Sequence, residues 1–144
     1  MIIFFVLLQM RGLRIFMERY NPIPAIPAVH IAGVVVCLLG LGFAIWARVH
    51  IGHNWGTPMS RKNEPELVTS GPYHLVRHPI YSGVLLAGVG TATALGRGWL
   101  IAVALAGVYF VYSATVEERN MAKQFPEQYP AYRHSTRMFV PFVF

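Results

Sequence analysis

The chain alternates between long apolar runs and short polar connections, and this spacing defines its elements. No Lys, Arg, Asp or Glu occurs in residues 20–47, 78–96 or 98–116. A helix needs about 20 apolar residues to cross the hydrocarbon core, and about 17 at the least. The pattern predicts three transmembrane helices, over residues 28–47, 80–96 and 99–116. Small residues recur in the first two (Gly33, Cys37, Gly40 and Gly42; then Gly83, Ala87, Gly88 and Gly90), where they let neighbouring helices approach closely. Gly96-Arg97-Gly98 predicts a tight reversal, so the last two helices return antiparallel as a hairpin. Three such runs buried in a soluble chain of 144 residues would leave almost no amphipathic shell.

The remaining stretches are polar or broken. Residues 1–8 are apolar, but Arg11 and Arg14 follow at once. A short first helix, an interfacial anchor and the remainder of a longer segment all fit, and no secretory cleavage pattern is evident. The Pro-rich connector of residues 21–27 cannot be a regular helix. Residues 48–77 form a long polar connection, and residues 117–144 a polar, aromatic tail whose apolar close, from Met138, returns to the membrane or the protein. The whole is one domain, with no internal repeat.

Composition supports a membrane setting: 55 % of residues are hydrophobic and 12 % charged, against about 25 % charged in soluble domains. A net charge of +6 points to nucleic acid in a soluble protein. Here the basic residues flank apolar runs, so anionic head groups account for them and nucleic acid is not a partner. The connection and tail carry Arg48, Arg61, Lys62, Arg77, Arg119, Lys123, Arg133 and Arg137; the opposite side has Arg97, with Arg11, Arg14 and Arg19 if the first segment spans. That asymmetry places the connection and tail in the cytoplasm. The lone Cys37 lies within an apolar run and reads as a small packing residue.

Candidate chemistry gathers at the entrance of the second helix. Pro79 suits the first helical position and pushes His78 out of helical geometry. The helix N-terminus then offers free N–H groups to an anion, with Tyr73, His74, Arg77, His78 and Tyr81 crowded beside it. Glu117-Glu118, directly after the last apolar run, comes back to the same face through the hairpin. A carboxylate beside a basic, aromatic pocket suits a zwitterion. The spacings of His50 with His53 and His74 with His78 evoke metal ligation, but no cysteine cluster supports either pair and no metal is expected. His30 reads as interfacial, as do Tyr129 and Tyr132.

Three blocks of the chain resemble the isoprenylcysteine carboxyl methyltransferase family: Arg48-x3-Gly52-x2-Trp55; Glu66-Leu-Val-x-Ser-Gly-Pro-Tyr73 with Arg77-His-Pro-x-Tyr81-x-Gly83; and Glu117-Glu118 with Phe125-x3-Tyr129-x2-Tyr132 and Phe139-Val-Pro141. The related phospholipid N-methyltransferases share the Arg-His-Pro and paired-Glu elements. The resemblance covers about two-thirds of the chain. It implies an all-α, polytopic integral membrane bundle of three to four transmembrane helices, multi-pass in a bacterial inner membrane, with its cofactor pocket on the cytosolic face. The implied cofactor is S-adenosylmethionine, leaving as S-adenosylhomocysteine.

Carried over by position, cofactor contacts fall on Pro65, Glu66, Leu67, Val68, Tyr73, His78, Pro79, Ile80, Tyr81 and Glu117. Glu117 and Arg77 are the expected catalytic pair: Glu117 holds the ammonium or sulfonium charge, while Arg77, His78 and the adjacent helix N-terminus hold the carboxylate. Ser113 stands where eukaryotic members carry a substrate-facing arginine, and Pro126 where a glycine is usual. The expected acceptor is a lipophilic or membrane-associated carboxylate or thiol. The alternatives are a phospholipid amine, whose proton Glu117 or Glu118 could take, and a non-enzymatic membrane binding protein.

Overall fold

A computed structural model describes Ile15 and residues 26–52 and 67–141. The described residues are all-helical, with one isolated bridge and no strand: α1 (Pro27–Ile51), α2 (Pro72–Leu75), α3 (Pro79–Leu95), α4 (Trp99–Gln124) and α5 (Tyr129–Ser135). Prolines open α1, α2 and α3, where a missing N–H costs nothing. Gly52 and Gly96, both at positive φ, follow α1 and α3.

Two helices, α1 of 25 residues and α4 of 26, are long and apolar enough to cross a membrane. At 1.5 Å per residue each exceeds the roughly 30 Å of a hydrocarbon core. The third expected span, α3, is apolar but 17 residues long. Helix α4 also differs from expectation, because it does not stop at Val116 but continues to Gln124. Hydropathy falls at Glu117, yet Glu, Arg, Met, Ala, Lys and Gln are all good helix formers. The helix stops at Phe125, where Pro126 disfavours helical geometry in the residue before it. Glu117 and Glu118 therefore sit well inside α4, clear of the unfavourable end of its dipole, which acts only over the last turn.

Packing is inverted relative to a soluble bundle. Only 11 % of the apolar window is buried in either α1 or α4. Leu38, Leu39 and Ile45 of α1 and Leu105, Val108 and Tyr112 of α4 are exposed, whereas the buried positions include Gly33, Gly40, Ala44 and Ala47 of α1 and Gly83, Ala87, Gly90 and Ala94 of α3. The two sets meet antiparallel, Gly33 against Ala94 and Gly83 against Gly40 and Ala44. A Cβ on Gly83 would lie 2.6 Å from the Gly40 carbonyl oxygen and 2.7 Å from the Ala44 nitrogen, so backbone touches backbone. Small residues inside and large ones outside suit a lipid surround. His30 closes the far end: its Nδ1 lies 2.6 Å from the Ala94 carbonyl, which can only accept, so the ring N–H donates to an otherwise orphan helix-end group.

Helix α4 packs on the other side of α3, with Val103 against Gly88 and Leu85 near Gly107. Beyond α5 the tail lies along the entrance to α3. The N–H groups of Arg77 and His78 donate to the carbonyls of Arg137 and Met138 at 2.8 and 3.1 Å, and Ser82 Oγ donates to the Phe139 carbonyl at 2.7 Å. Phe139 is buried against the rings of His78 and Tyr81, so this part of the tail returns to the protein.

Candidate functional site

The entrance of α3, the end of α1, the 67–73 strip, the interior of α4 and α5 surround a cavity of about 60 Å³. Its lining includes Leu67, Val68, Tyr73, Arg77, His78 and Glu117, all expected from the sequence. Pro79, Ile80 and Tyr81 are absent from that lining. Tyr81 stands behind His78 instead, stacked on it at 5.6 Å and on Phe110 at 4.5 Å, with interplanar angles of 9° and 6°. Pro65 and Glu66 lie outside the described residues.

Charge is ordered around His78. Its Nδ1 is 3.6 Å from Glu117 Oε2, and its Nε2 is 3.4 Å from Glu118 Oε1. At that distance Nε2 feels the carboxylate as a charge, and it is buried without a hydrogen-bond partner among the described residues. Arg77 Nε is 2.7 Å from Glu118 Oε1, while its Nη1 donates to the carbonyls of Thr136 and, at 3.1 Å, Arg133. Arg77 is thus held between α4 and the tail, with Nε and Nη1 both engaged. Arg133, largely exposed, approaches the other oxygen of Glu118 at 3.5 Å.

Five lining residues were not among the expected cofactor or catalytic residues: Glu118, read only as the second acid of its pair, and Ile51, Met121, Tyr129 and Tyr132. Met121 is three residues after Glu118 and four after Glu117, the helical neighbours to expect once α4 is known to continue. The tyrosines were expected at the bilayer interface, yet Tyr129 is buried and Tyr132 donates its hydroxyl to the Tyr73 carbonyl at 2.7 Å. Burial raises the pKa of both and of Tyr73 above the ordinary phenol value. Glu117 adds to the shift at Tyr73, Glu118 at Tyr129 and Tyr129 at Tyr132. All three are neutral hydrogen-bonding groups at physiological pH.

A cavity that combines carboxylates and an imidazole nitrogen without a hydrogen-bond partner among the described residues with the apolar side chains of Ile51, Leu67, Val68 and Met121 suits a charged group carried on an apolar or aromatic body. Its volume takes a few water-sized groups, the scale of an amino-acid head. A second, almost wholly apolar cavity of about 210 Å³ lies in the α3–α4 seam, lined by Val84, Leu85, Gly88, Thr91, Trp99, Ala102, Val103 and Ala106. Tyr81 and Phe110, four residues along the chain from Leu85 and Ala106 of that lining, stack on each other, and Tyr81 stacks on His78 as well.

Residues 28–128 match the family model described as Phospholipid methyltransferase. Over 86 residues the chain is 37 % identical to Protein-S-isoprenylcysteine O-methyltransferase B of Arabidopsis thaliana, covering 58 % of this chain and 43 % of that one. It is 37 % identical over 108 residues to Cobalt-zinc-cadmium resistance protein CzcN of Cupriavidus metallidurans, covering 72 % and 49 %. It is 31 % identical over 77 residues to Methanethiol S-methyltransferase 1 of Bradyrhizobium diazoefficiens, covering 54 % and 27 %. The chain spans about half or less of the length of these relatives.

Proposed function

Because this chain belongs to the phospholipid methyltransferase family, we propose that it is an integral membrane methyltransferase that uses S-adenosylmethionine. The acceptor is a lipophilic or membrane-associated carboxylate, of the isoprenylcysteine kind, or a thiol. The observation that carries this reading is the His78 imidazole, set between Glu117 and Glu118 at the wall of the cavity, with a buried Nε2 that has no hydrogen-bond partner among the described residues. Such an orphan atom fits a site completed by a polar ligand.

Once bound, S-adenosylmethionine supplies an electrophilic methyl group on a positively charged sulfur. Glu117 holds the cationic side of the donor, and His78 offers Nε2 to its carboxylate. Arg77 acts mainly through Glu118, which it fixes at 2.7 Å. Leu67, Val68 and Tyr73 line the wall, and Pro65 and Glu66 are carried over as further donor contacts from the resemblance alone. Methyl transfer is an in-line displacement, so holding donor and acceptor in register supplies much of the catalysis. With an anionic acceptor the transition state carries less charge than the reactants, and an apolar seam that excludes water favours it. The α3–α4 cavity supports a lipophilic acceptor, whose apolar part would lie there with its reactive atom turned past Tyr81 and Phe110 towards His78.

In the bilayer, α1, α3 and α4 all span, with the connection and the tail in the cytoplasm. The charge count supports that topology, and the short α3 is accommodated by local thinning and packing. The test is binding of S-adenosylmethionine and S-adenosylhomocysteine to the purified protein in detergent, followed by radiolabelled methyl transfer into prenylcysteine analogues, alkyl thiols and phospholipids. Ligand-dependent thermal stabilisation and label in a lipophilic acceptor are expected. No binding of either ligand would end the reading.

A further inference from the structure

We propose that His50, in the last turn of α1, is a positioning residue for the donor pocket: it pins the Ser70–Tyr73 turn, and with it the Tyr73 wall, to the end of α1. This rests on the methyltransferase reading and adds a residue that the reading does not use. Three contacts converge on the one ring. Its Nε2 is 2.9 Å from Ser70 Oγ. Its face stacks on Tyr73 at 6.5 Å and 25°. Its edge lies over Gly71, where a Cβ would come within 2.7 to 3.0 Å of the ring atoms, so only glycine lets the imidazole settle there. Gly71 also has φ of 60°, a conformation that other side chains adopt at a cost.

The turn so held belongs to the stretch of pocket wall that no long helix carries. Residues 67–71 precede α2, itself one turn long, and Tyr73 is its second residue. Tyr132 in turn fixes the Tyr73 carbonyl at 2.7 Å. His50 and Tyr132 therefore hold Tyr73 at two points, ring and backbone, and set its place in the wall it shares with Glu117 and His78. Ile51, next to His50, lines the cavity itself, so the same turn of α1 supplies both the strut and part of the wall. A strut of this kind acts on the affinity for the donor and not on the chemical step.

The test uses the full chain in detergent, with S-adenosylhomocysteine as the titrant and donor kinetics on whichever acceptor turns over. His50→Ala is expected to weaken binding about three- to tenfold, the loss that one hydrogen bond and a ring contact imply. Ser70→Ala is expected to give the smaller part of that loss, and His50→Phe, which keeps a ring over Gly71, to fall between His50→Ala and the wild type. The double variant His50→Ala/Ser70→Ala should bind no more weakly than His50→Ala alone, since both remove one shared contact. The donor KM should rise with kcat nearly unchanged. Wild-type binding by His50→Ala, a fully additive double variant, or a lowered melting temperature without a change in affinity would each overturn the proposal. A wild-type chain that binds no S-adenosylhomocysteine is a separate result: it overturns the methyltransferase reading itself and removes the pocket that His50 would serve.

Discussion

Arg77 and Glu118, 41 residues apart in the chain, meet at 2.7 Å with side-chain exposures of only 9 % and 6 %. The pair ties α4 to the turn before α3, and through Arg77 Nη1 to the carbonyls of Arg133 and Thr136 in the tail. Removing Glu118 leaves the buried Arg77 charge without its carboxylate. Glu118→Ala is expected to lower stability by about 3–5 kcal/mol, measured by denaturant unfolding in detergent. The paired change Arg77→Met/Glu118→Leu should recover much of that loss while leaving donor binding impaired. Equal stability of Glu118→Ala and wild type would show that the pair is not closed in solution.

Glu117 is more exposed than Glu118, with 30 % of its side chain accessible, and its carboxylate faces His78 Nδ1. Glu117→Gln keeps the shape and removes the charge. Donor affinity by calorimetry should drop about tenfold or more, the usual weight of a hydrogen bond to a charged group. The ligand-free melting temperature should change little.

Tyr73, Tyr129 and Tyr132 ionise above their ordinary 10.0 because burial disfavours the phenolate. The unfolded chain loses those protons first as pH rises. Their contribution is fully present below pH 10 and disappears as pH climbs through the folded values. A melting curve followed to strongly alkaline pH should show this fall, and Tyr132→Phe should soften it while removing the hydroxyl bond to the Tyr73 carbonyl. A fall of the same size in that variant would assign it to other groups.

Close contact between α1 and α3 makes a sharper structural prediction. Gly83→Leu would push a side chain into the Gly40 carbonyl and the Ala44 backbone, so the folded fraction recovered from membranes should collapse. Gly42→Leu, at a position with nothing within 4 Å among the described residues, should be tolerated. Equal yields from the two would mean that the helices do not pack through these faces.

Acceptor choice is expected to respond to the α3–α4 cavity. Ala106→Phe places a ring in it and should raise the KM for long-chain acceptors about tenfold or more, by excluding several buried methylenes. Affinity for S-adenosylhomocysteine should be unaffected. If long and short acceptors suffer alike, the cavity is not where the chain lies.

Much of this architecture is written in the spacing of charges. The apolar runs foretell helices, Gly96-Arg97-Gly98 foretells the reversal, and the hairpin brings Glu117 and Glu118 back to His78. The reach of α4 beyond Val116 was illegible to hydropathy, because the residues that end an apolar run can still favour a helix, as Glu117 to Gln124 do. Adjacent positions on a helix point about 100° apart, so the sequence could not tell which of Glu117 and Glu118 would turn inward to Arg77. Packing of α4 on α3 decides that. Tyr129 and Tyr132 were misread for a related reason: a tyrosine at a membrane boundary and one lining a polar pocket carry the same sequence signal.

The two sides of α3 have different freedoms. Towards α1 it presents glycine and alanine backbone at contact distance, a surface on which almost any enlargement costs the fold. Towards α4 it presents side chains of mixed size around open space. On the proposed reading, a change of acceptor is therefore channelled to one seam, through residues along α4, while the α1–α3 frame and the charged cluster at its mouth stay as they are.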